Sequence, residues 1–280
     1  MGWKLCTIFG PHGATTRADG RTGLGVDSHR SLGRQAKPQM SDNKTPYNAE
    51  AYEVEVARTI PYHAEIIVHA VMTALAVRPC PERWLDTGCG PGRLVALARS
   101  KAPKTEFVLA DPSEGMLAVA RRNNADLDPE RFLMAPSEEL PSLRPFDVIT
   151  AIQCHHYLSP DERERAVRRC FSLLSPDGVM IVFENVRSET ERGQVVQRQR
   201  WAQWLREQGR AEDAVVAHAR REGTQYFPLR PSEHVALLER VGFGSVETIW
   251  RAYGQAGFMA IADGGSGSRR GESIAGWIDR

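Results

Sequence analysis

From Arg83 to Asp263 the chain alternates short apolar runs with helical periods, and this alternation most constrains its fold. "RWLDTG", "TEFVLAD", "RFLMA", "FDVITAIQ" and "GVMIVFEN" have strand length and strand composition. "GRLVALARSKA", "SEGMLAVARRN" and "SPDERERAVRRCFSLLSP" lie between them with helical spacing. Ser113 is the expected N-cap of the second of these, and prolines bound the third. A further helix is expected at 61–77, with Pro61 in its first turn. "SEHVALLERVG" reads as the last helix, and a long polar helical stretch spans about 188–222. Strands that alternate with helices imply an α/β fold, a mainly parallel sheet covered on both faces. "SVETIWRAYG" and "GFMAIAD" are separated by a turn expected around Gln255–Ala256, which makes that pair antiparallel.

The ends read differently. Residues 1–39 are rich in Gly, Arg, Ser and Thr and show no period, so they cannot bury enough apolar surface to fold alone. Disorder is expected over 1–43, a compact domain over 44–263 and a flexible tail over 264–280. Met40 opens a stretch that reads as a natural start, so translation is expected to begin there. No apolar run reaches transmembrane length. Cys6, Cys80, Cys89, Cys154 and Cys170 are scattered, with no zinc spacing and no disulfide framework, as in a cytoplasmic protein. The net charge of +1 gives no general argument for nucleic acid as a partner.

In an open α/β sheet, ligands bind beyond the carboxyl ends of the strands. "LDTGCGPGRL" sits at such an end, with Gly88, Gly90 and Gly92 at alternate positions. Glycine lets a backbone turn tightly and approach a ligand closely. Asp111 closes the next strand, 19 residues after Gly92, where a carboxylate can accept two ribose hydroxyls. NAD and S-adenosylmethionine (SAM) sites both use such an acid. They differ at the loop: here the spacing is G-x-G-x-G with Asp86 directly upstream, the wrong sign for a diphosphate and the right sign for an ammonium.

With "VLADPSEGMLAVAR", "SEELP", "FDVITAIQCHHYL" and "LLSPDGVMIVFEN" following in order, the chain resembles the class I SAM-dependent methyltransferases over residues 50–262. That resemblance implies a doubly wound, seven-stranded sheet with an antiparallel last strand and a helical lid. It implies SAM as cofactor, held by Asp86 and the backbone of 88–92, Cys89 included. Asp111 then takes the ribose, Pro112 and Met116 flank the adenine, Ser137 and Glu138 reach its edge, and Gln153 completes the cofactor shell. Relatives carry an acid just before the stretch matching "SEELP"; here Ala135-Pro136-Ser137 stands there, which leaves the adenine amino group to Ser137, Glu138 or a carbonyl. The chain is also similar to a bacterial-type group sharing "IPYH", "HHYL", "FEN", a "RW" helix, "YFP" and "QAGF", a similarity that implies no substrate.

Residues after the fourth strand face the methyl group in this family. His155 and His156 are therefore candidate general bases, against a bland role as pocket wall. Adjacent histidines lack chelating spacing, and no metal site is expected. Glu184 and Asn185 either orient a substrate or, for Asn185, cap the next helix. A lid is expected from "YNAEAYEVEVARTIPYHAE", where Arg58 is a candidate for the SAM carboxylate, and from an insertion at about 188–228. Trp201 and Trp204 there share a helix face that either contacts a flat anionic substrate or simply docks the helix with Leu205. The expected function is methyl transfer from SAM to a small molecule. RNA or protein methylation, a non-catalytic SAM-binding subunit, an NAD enzyme and a SAM enzyme of other chemistry stay open; some relatives with an "IPY"-type lid modify SAM itself. Oligomeric state is not legible here.

Overall fold

The computed structural model describes residues 44–45 and 47–263. The expected N-terminal extension, the start at Met40, Cys6 and the tail at 264–280 lie outside the described residues. Seven strands form one sheet: β1 (Arg83–Thr87), β2 (Glu106–Ala110), β3 (Phe132–Leu133), β4 (Phe146–Ile152), β5 (Leu174–Asn185), β6 (Ser245–Ala252) and β7 (Gln255–Ile261). Their order is β3-β2-β1-β4-β5-β7-β6, and β7 runs antiparallel to both β5 and β6. This is the mainly parallel sheet the alternation predicts, in the doubly wound, seven-stranded form the resemblance implies. The turn before β7 is Tyr253–Gly254 rather than Gln255–Ala256; both of the latter are paired inside the strand, opposite Asn185 and Glu184. Tyr253 takes the left-handed backbone at φ 50°, and Gly254 follows it, so the reversal is complete before Gln255.

The inner strands are buried on both faces, and their alternate side chains feed two cores, whereas the edge strand β6 has no buried residue. Trp84, Phe107, Leu109, Val148, Val179, Ile181 and Phe183 face one side. There they meet α2 (His63–Val77), α3 (Arg93–Lys101) and α4 (Glu114–Asn123) through residues such as Ala70, Val95 and Leu117. Leu85, Val108, Ile149, Met180, Val182 and Phe258 face the other. They pack on α5 (Pro160–Ser172) and α8 (Pro231–Val241) through Val167, Cys170, Leu237 and Leu238. Ser113 caps α4 by accepting the Met116 amide, and Ser159 with Glu162 closes a capping box on α5. Pro61 lies outside its helix: α2 starts at His63 because Tyr62, at φ 61°, breaks the path before it.

Over the carboxyl ends of the strands lies a helical layer of α1 (Tyr52–Ala57), α6 (Glu191–Glu207) and α7 (Glu212–Arg221). The long polar stretch is thus two helices, broken where Gly209 adopts φ +72°. Leu205 is its buried anchor, Trp201 donates its indole N–H to the Thr59 carbonyl at 3.1 Å, and Trp204 sits beside Tyr253, with ring centres 6.5 Å apart. The tryptophan face therefore docks the layer, and Trp201 also faces the cavity beneath it. No helix among the described residues is long and apolar enough to cross a membrane.

Gly257 on β7 lies under the Phe183 ring: a Cβ there would fall 2.5 Å from two ring carbons. Phe183 is fully buried, so the ring has nowhere to move. Gly257→Ala is expected to lower stability by about 1–3 kcal/mol, read as a lower urea midpoint at unchanged slope.

Candidate functional site

The loop between β1 and α3 is built by three left-handed glycines, at φ +62°, +52° and +74° for Gly88, Gly90 and Gly92. They serve different neighbours. A Cβ on Gly88 would strike the Cys154 side chain at 2.5 Å, and one on Gly92 would strike Asn124 at 2.7 Å. Around Gly90 the closest atom lies 4.0 Å away, on Tyr52. Gly88 and Gly92 bring elements together, and Gly90 leaves room for something else.

That room is a small pocket of about 40 Å³ lined by Tyr52, His63, Asp86, Gly88, Gly90 and Arg93, among others. Asp86 is 2% exposed, and its Oδ1 accepts the Thr150 hydroxyl at 2.6 Å. Burial pushes its carboxyl up to about 7, with Asp111 nearby adding to the rise and Thr150 opposing it. A carboxylate raised this way is well matched to a cationic ligand group. Asp111 ends β2 with Oδ2 on the Gly90 amide and Oδ1 on the Ser113 amide, both at 2.9 Å, so one carboxylate ties the loop to the cap of α4. His63 is pushed down to about 4 by burial and by the Arg93 charge.

Other expected residues fall into place around this pocket or away from it. Met116 is buried in α4, and Pro112 is exposed at the end of β2. The Ser137 hydroxyl is engaged by Thr87 at 2.8 Å and His155 Nε2 at 3.0 Å, whereas Glu138 Oε2 is buried without a partner. Of the two, Glu138 keeps a free acceptor. Arg58 departs from expectation: it is exposed and donates to the Gln208 carbonyl at 3.0 Å, pinning α1 to the end of α6. Arg93, at the start of α3, is the arginine that lines the pocket. Its position directly after the third glycine is the signal that could have marked it.

A larger cavity of about 310 Å³ adjoins this site at Tyr52, which lines both. The helical layer roofs it with Val56, Trp201 and Val215, the loop after α7 adds Tyr226, and the strand ends floor it with Gln153, Asn185 and Gln255. Arg210 clamps the roof to α1: it pairs with Glu55 at 2.7 Å and donates to the Thr59 hydroxyl at 2.8 Å. Tyr157 is pushed up to about 12 by burial, and Tyr52 and Tyr226 are raised further still, chiefly by burial.

His155 and His156 do not line this cavity, in contrast to the expectation that they face the reacting group. Each is 1% exposed. They form a 3-10 turn after β4 that is pinned from below by Glu184, which accepts the His155 amide at 3.0 Å and the His156 amide at 2.8 Å. Glu184 also takes His156 Nδ1 at 2.6 Å. Burial drives His155 down to about 4, so it is neutral. Asn185 does not cap α6, whose N-cap is Thr190; it faces the cavity with its amide on His156 Nε2 at 3.2 Å. Gln153 holds φ 57°, a costly backbone for a non-glycine residue, and both polar atoms of its buried side chain lack a partner. Among the described residues no cluster of His, Cys, Asp and Glu is arranged to hold a metal ion.

Comparison with known proteins agrees with this geometry. Residues 85–178 match the family model described as a methyltransferase domain. A carboxy-S-adenosyl-L-methionine synthase of Wolinella succinogenes is 27% identical over 76% of this chain and 90% of its own length. A demethylmenaquinone methyltransferase of Thermus thermophilus is 34% identical over 39% of this chain and 50% of its own. An O-methyltransferase family protein from Burkholderia thailandensis shares the fold, with a TM-score of 0.56 over 78% of this chain and 60% of that one, at 13% identity.

The raised carboxyl of Asp86 has a thermodynamic signature. The folded protein holds this proton more tightly than the unfolded chain, whose value is 3.8. The resulting stability is complete below about pH 4 and is lost as pH rises through about 7. Comparing urea unfolding of the wild type with Asp86→Asn across pH 4–8 is expected to show a slope in their difference of up to on the order of 4 kcal/mol in total. A flat difference would place the Asp86 carboxyl near its ordinary value.

Proposed function

We propose that this chain, a member of the class I SAM-dependent methyltransferases, transfers the SAM methyl group to a small and mostly apolar acceptor held in the 310 Å³ cavity. The observation that carries this reading is the sharing of Tyr52: the glycine-loop pocket and the roofed cavity meet at one side chain. A donor in the first and an acceptor in the second are thereby neighbours.

The residues fit SAM. Asp86, buried and short of a cationic partner, suits its ammonium, and Gly90 leaves space for the backbone to approach it. Arg93 suits its carboxylate. Asp111, which holds the Gly90 and Ser113 amides at the end of β2, suits the ribose hydroxyls. Glu138 Oε2 suits the adenine amino group. When bound, SAM supplies an electrophilic methyl on a sulfonium. What remains for the protein is to align the acceptor and exclude water, and the roof of α1, α6 and α7 does both.

Proton removal is not what this cavity is equipped for. Its ionisable wall is Tyr47, Tyr52, Tyr157, Tyr226, Arg198, Arg221 and Glu222. Glu222 is paired with Arg198 at 3.0 Å, and burial raises three of the tyrosines. Such a wall suits an acceptor atom that already carries a usable lone pair, such as a neutral amine, better than an alcohol. A second reading is the conversion of SAM itself into a carboxylated derivative, and the near full-length similarity to the Wolinella succinogenes protein favours it. The added carboxylate would need a cation facing it. The two arginines of the cavity are engaged, Arg198 by Glu222 and Arg221 by Gln225 at 2.6 Å.

Calorimetric titration of SAM is expected to show binding that Asp111→Ala weakens some tens- to hundred-fold, with Asp111→Asn intermediate. Absence of SAM binding would end the assignment. Mass analysis of the nucleoside product then separates the two readings: S-adenosylhomocysteine marks methyl transfer, and a carboxylated SAM marks the other. A third titration concerns Asp86. Near pH 6 its carboxyl is largely protonated in the free protein, so SAM binding is expected to release a proton there. That proton appears as a dependence of binding heat on the buffer, absent in Asp86→Asn.

A further inference from the structure

Aromatic side chains are concentrated on the roofed cavity. Four of the six tyrosines of the chain, Tyr47, Tyr52, Tyr157 and Tyr226, line it, and Trp201 joins them. The aliphatic residues beside them are mostly short, such as Val56, Val186 and Ala219. Among the described residues, no leucine, methionine or phenylalanine lines this space. Most of the apolar surface that an occupant meets there is therefore aromatic. A cavity of about 150 Å³ accommodates one benzene ring. The 310 Å³ here is about twice that, room for about two fused rings.

Many polar groups of the lining residues are spent on the protein itself. Gln197 donates to the Val186 carbonyl at 2.8 Å and accepts the Ser188 hydroxyl at 2.8 Å. Gln194 accepts the Ser188 amide at 2.7 Å, and the Tyr47 and Thr59 hydroxyls share a 2.6 Å hydrogen bond. An occupant rich in hydroxyls would give up its water here for few new bonds. A tyrosine-rich wall also suits a cation, but two arginines, Arg198 and Arg221, line this one against the single carboxylate of Glu222. That excess of positive charge opposes a cationic occupant.

Resting on the proposed function, we infer that the methyl acceptor is a flat, uncharged aromatic molecule of about two fused rings, and that its accepting atom is a nitrogen conjugated with the ring or built into it. An alkyl amine resembles lysine, with a pKa of about 10.4, so at neutral pH a proton occupies its lone pair. A nitrogen whose electrons are shared with a ring stays neutral and needs no base, and the buried tyrosines of the wall supply none. In the transfer, the nitrogen lone pair forms the new N–C bond while the S–C bond of SAM breaks with its electrons passing to sulfur. A heteroaromatic nitrogen keeps the positive charge so gained. An arylamine instead yields its N–H proton, made acidic by methylation, to water. The lining aromatics select the ring, and the arginine excess excludes the protonated amine.

The test titrates three pairs of probes into the full chain saturated with S-adenosylhomocysteine near neutral pH. Binding of S-adenosylhomocysteine itself is measured first; its failure overturns the proposed function, whereas the probe results bear on the acceptor class alone. 2-Naphthol is expected to bind about tenfold more tightly than decahydro-2-naphthol, because ring–ring contact adds to area burial. Burial alone favours the saturated molecule, which has more apolar surface. 2-Naphthylamine is expected to bind about tenfold more tightly than 2-(aminomethyl)naphthalene, which is protonated at this pH. It is also expected to bind about tenfold more tightly than 2-aminoanthracene, whose third ring exceeds the space. Equal or reversed affinities within any pair, or no binding by any probe, overturn the inference. The place of binding is read on the wild type, as nuclear Overhauser effects between 2-naphthol protons and tyrosine ring protons. Their absence with the probe bound overturns it too.

Discussion

The buried pairing of Glu184 with the turn at 154–158 is the interaction on which the rest of the site depends. Glu184 grips that turn through two backbone amides and one imidazole. Arg163 holds the same turn from the other side, through the His155 carbonyl and the Leu158 carbonyl at 3.2 Å, and ties it to the Phe227 carbonyl of the segment after α7. A carboxylate and a guanidinium, both essentially out of water, are costly to bury. Backbone groups offset much of that outlay, taking Arg163 Nε and Nη2 and two of the three donors on Glu184, while Arg163 Nη1 is buried without a partner. The consequence is geometric. The turn cannot drift, so Cys154 stays against Gly88, and the cofactor loop keeps its distance from the end of β4.

From that fixed point the two halves of the site are set by strand order. β1 lies between β2 and β4, so the ends of all three bring Asp86, Asp111 and Gln153 to one edge. β5 lies between β4 and β7, and its last two residues pair with Ala256 and Gln255. Asn185 and Gln255 are thus strand partners before they are hydrogen-bonding side chains. The glycine-loop side of the edge is made by parallel strands and their helices, and the roofed-cavity side by the antiparallel pair and the helical layer. Tyr52, on the short α1, stands at the join.

The repeating part of this architecture was legible in the sequence. Apolar runs, the cap at Ser113 and the proline that opens α5 report local energetics, and the structure follows them; the second expected boundary, Pro176, lies instead inside β5, and the helix ends at Ser172. What escaped were properties that arise only when distant segments meet. The histidine pair reads as reactive because imidazole titrates near neutrality. Burial against a carboxylate from a strand 28 residues away turns it into a scaffold. Arg58 and Arg210 are equally plausible cation sites by type. Only the fold sends one to the Gln208 carbonyl and the other to Glu55 and Thr59. The turn before β7 was misplaced by two residues because Tyr253, a poor left-handed residue by propensity, accepts that backbone next to Gly254. Gln255 accordingly sits in a buried strand position rather than at a loop tip.

The roof is joined to the body unlike the cores below. Its contacts with α1 are mainly polar: Arg210 to Glu55 and Thr59, Trp201 to the Thr59 carbonyl, Arg58 to the Gln208 carbonyl. Each such bond is worth about 1 kcal/mol net, since water replaces it on opening. Breaking the set is cheap beside unpacking either core, where single buried side chains contribute about 2–5 kcal/mol. Opening at the roof would leave the sheet, the glycine loop and the turn held by Glu184 in place.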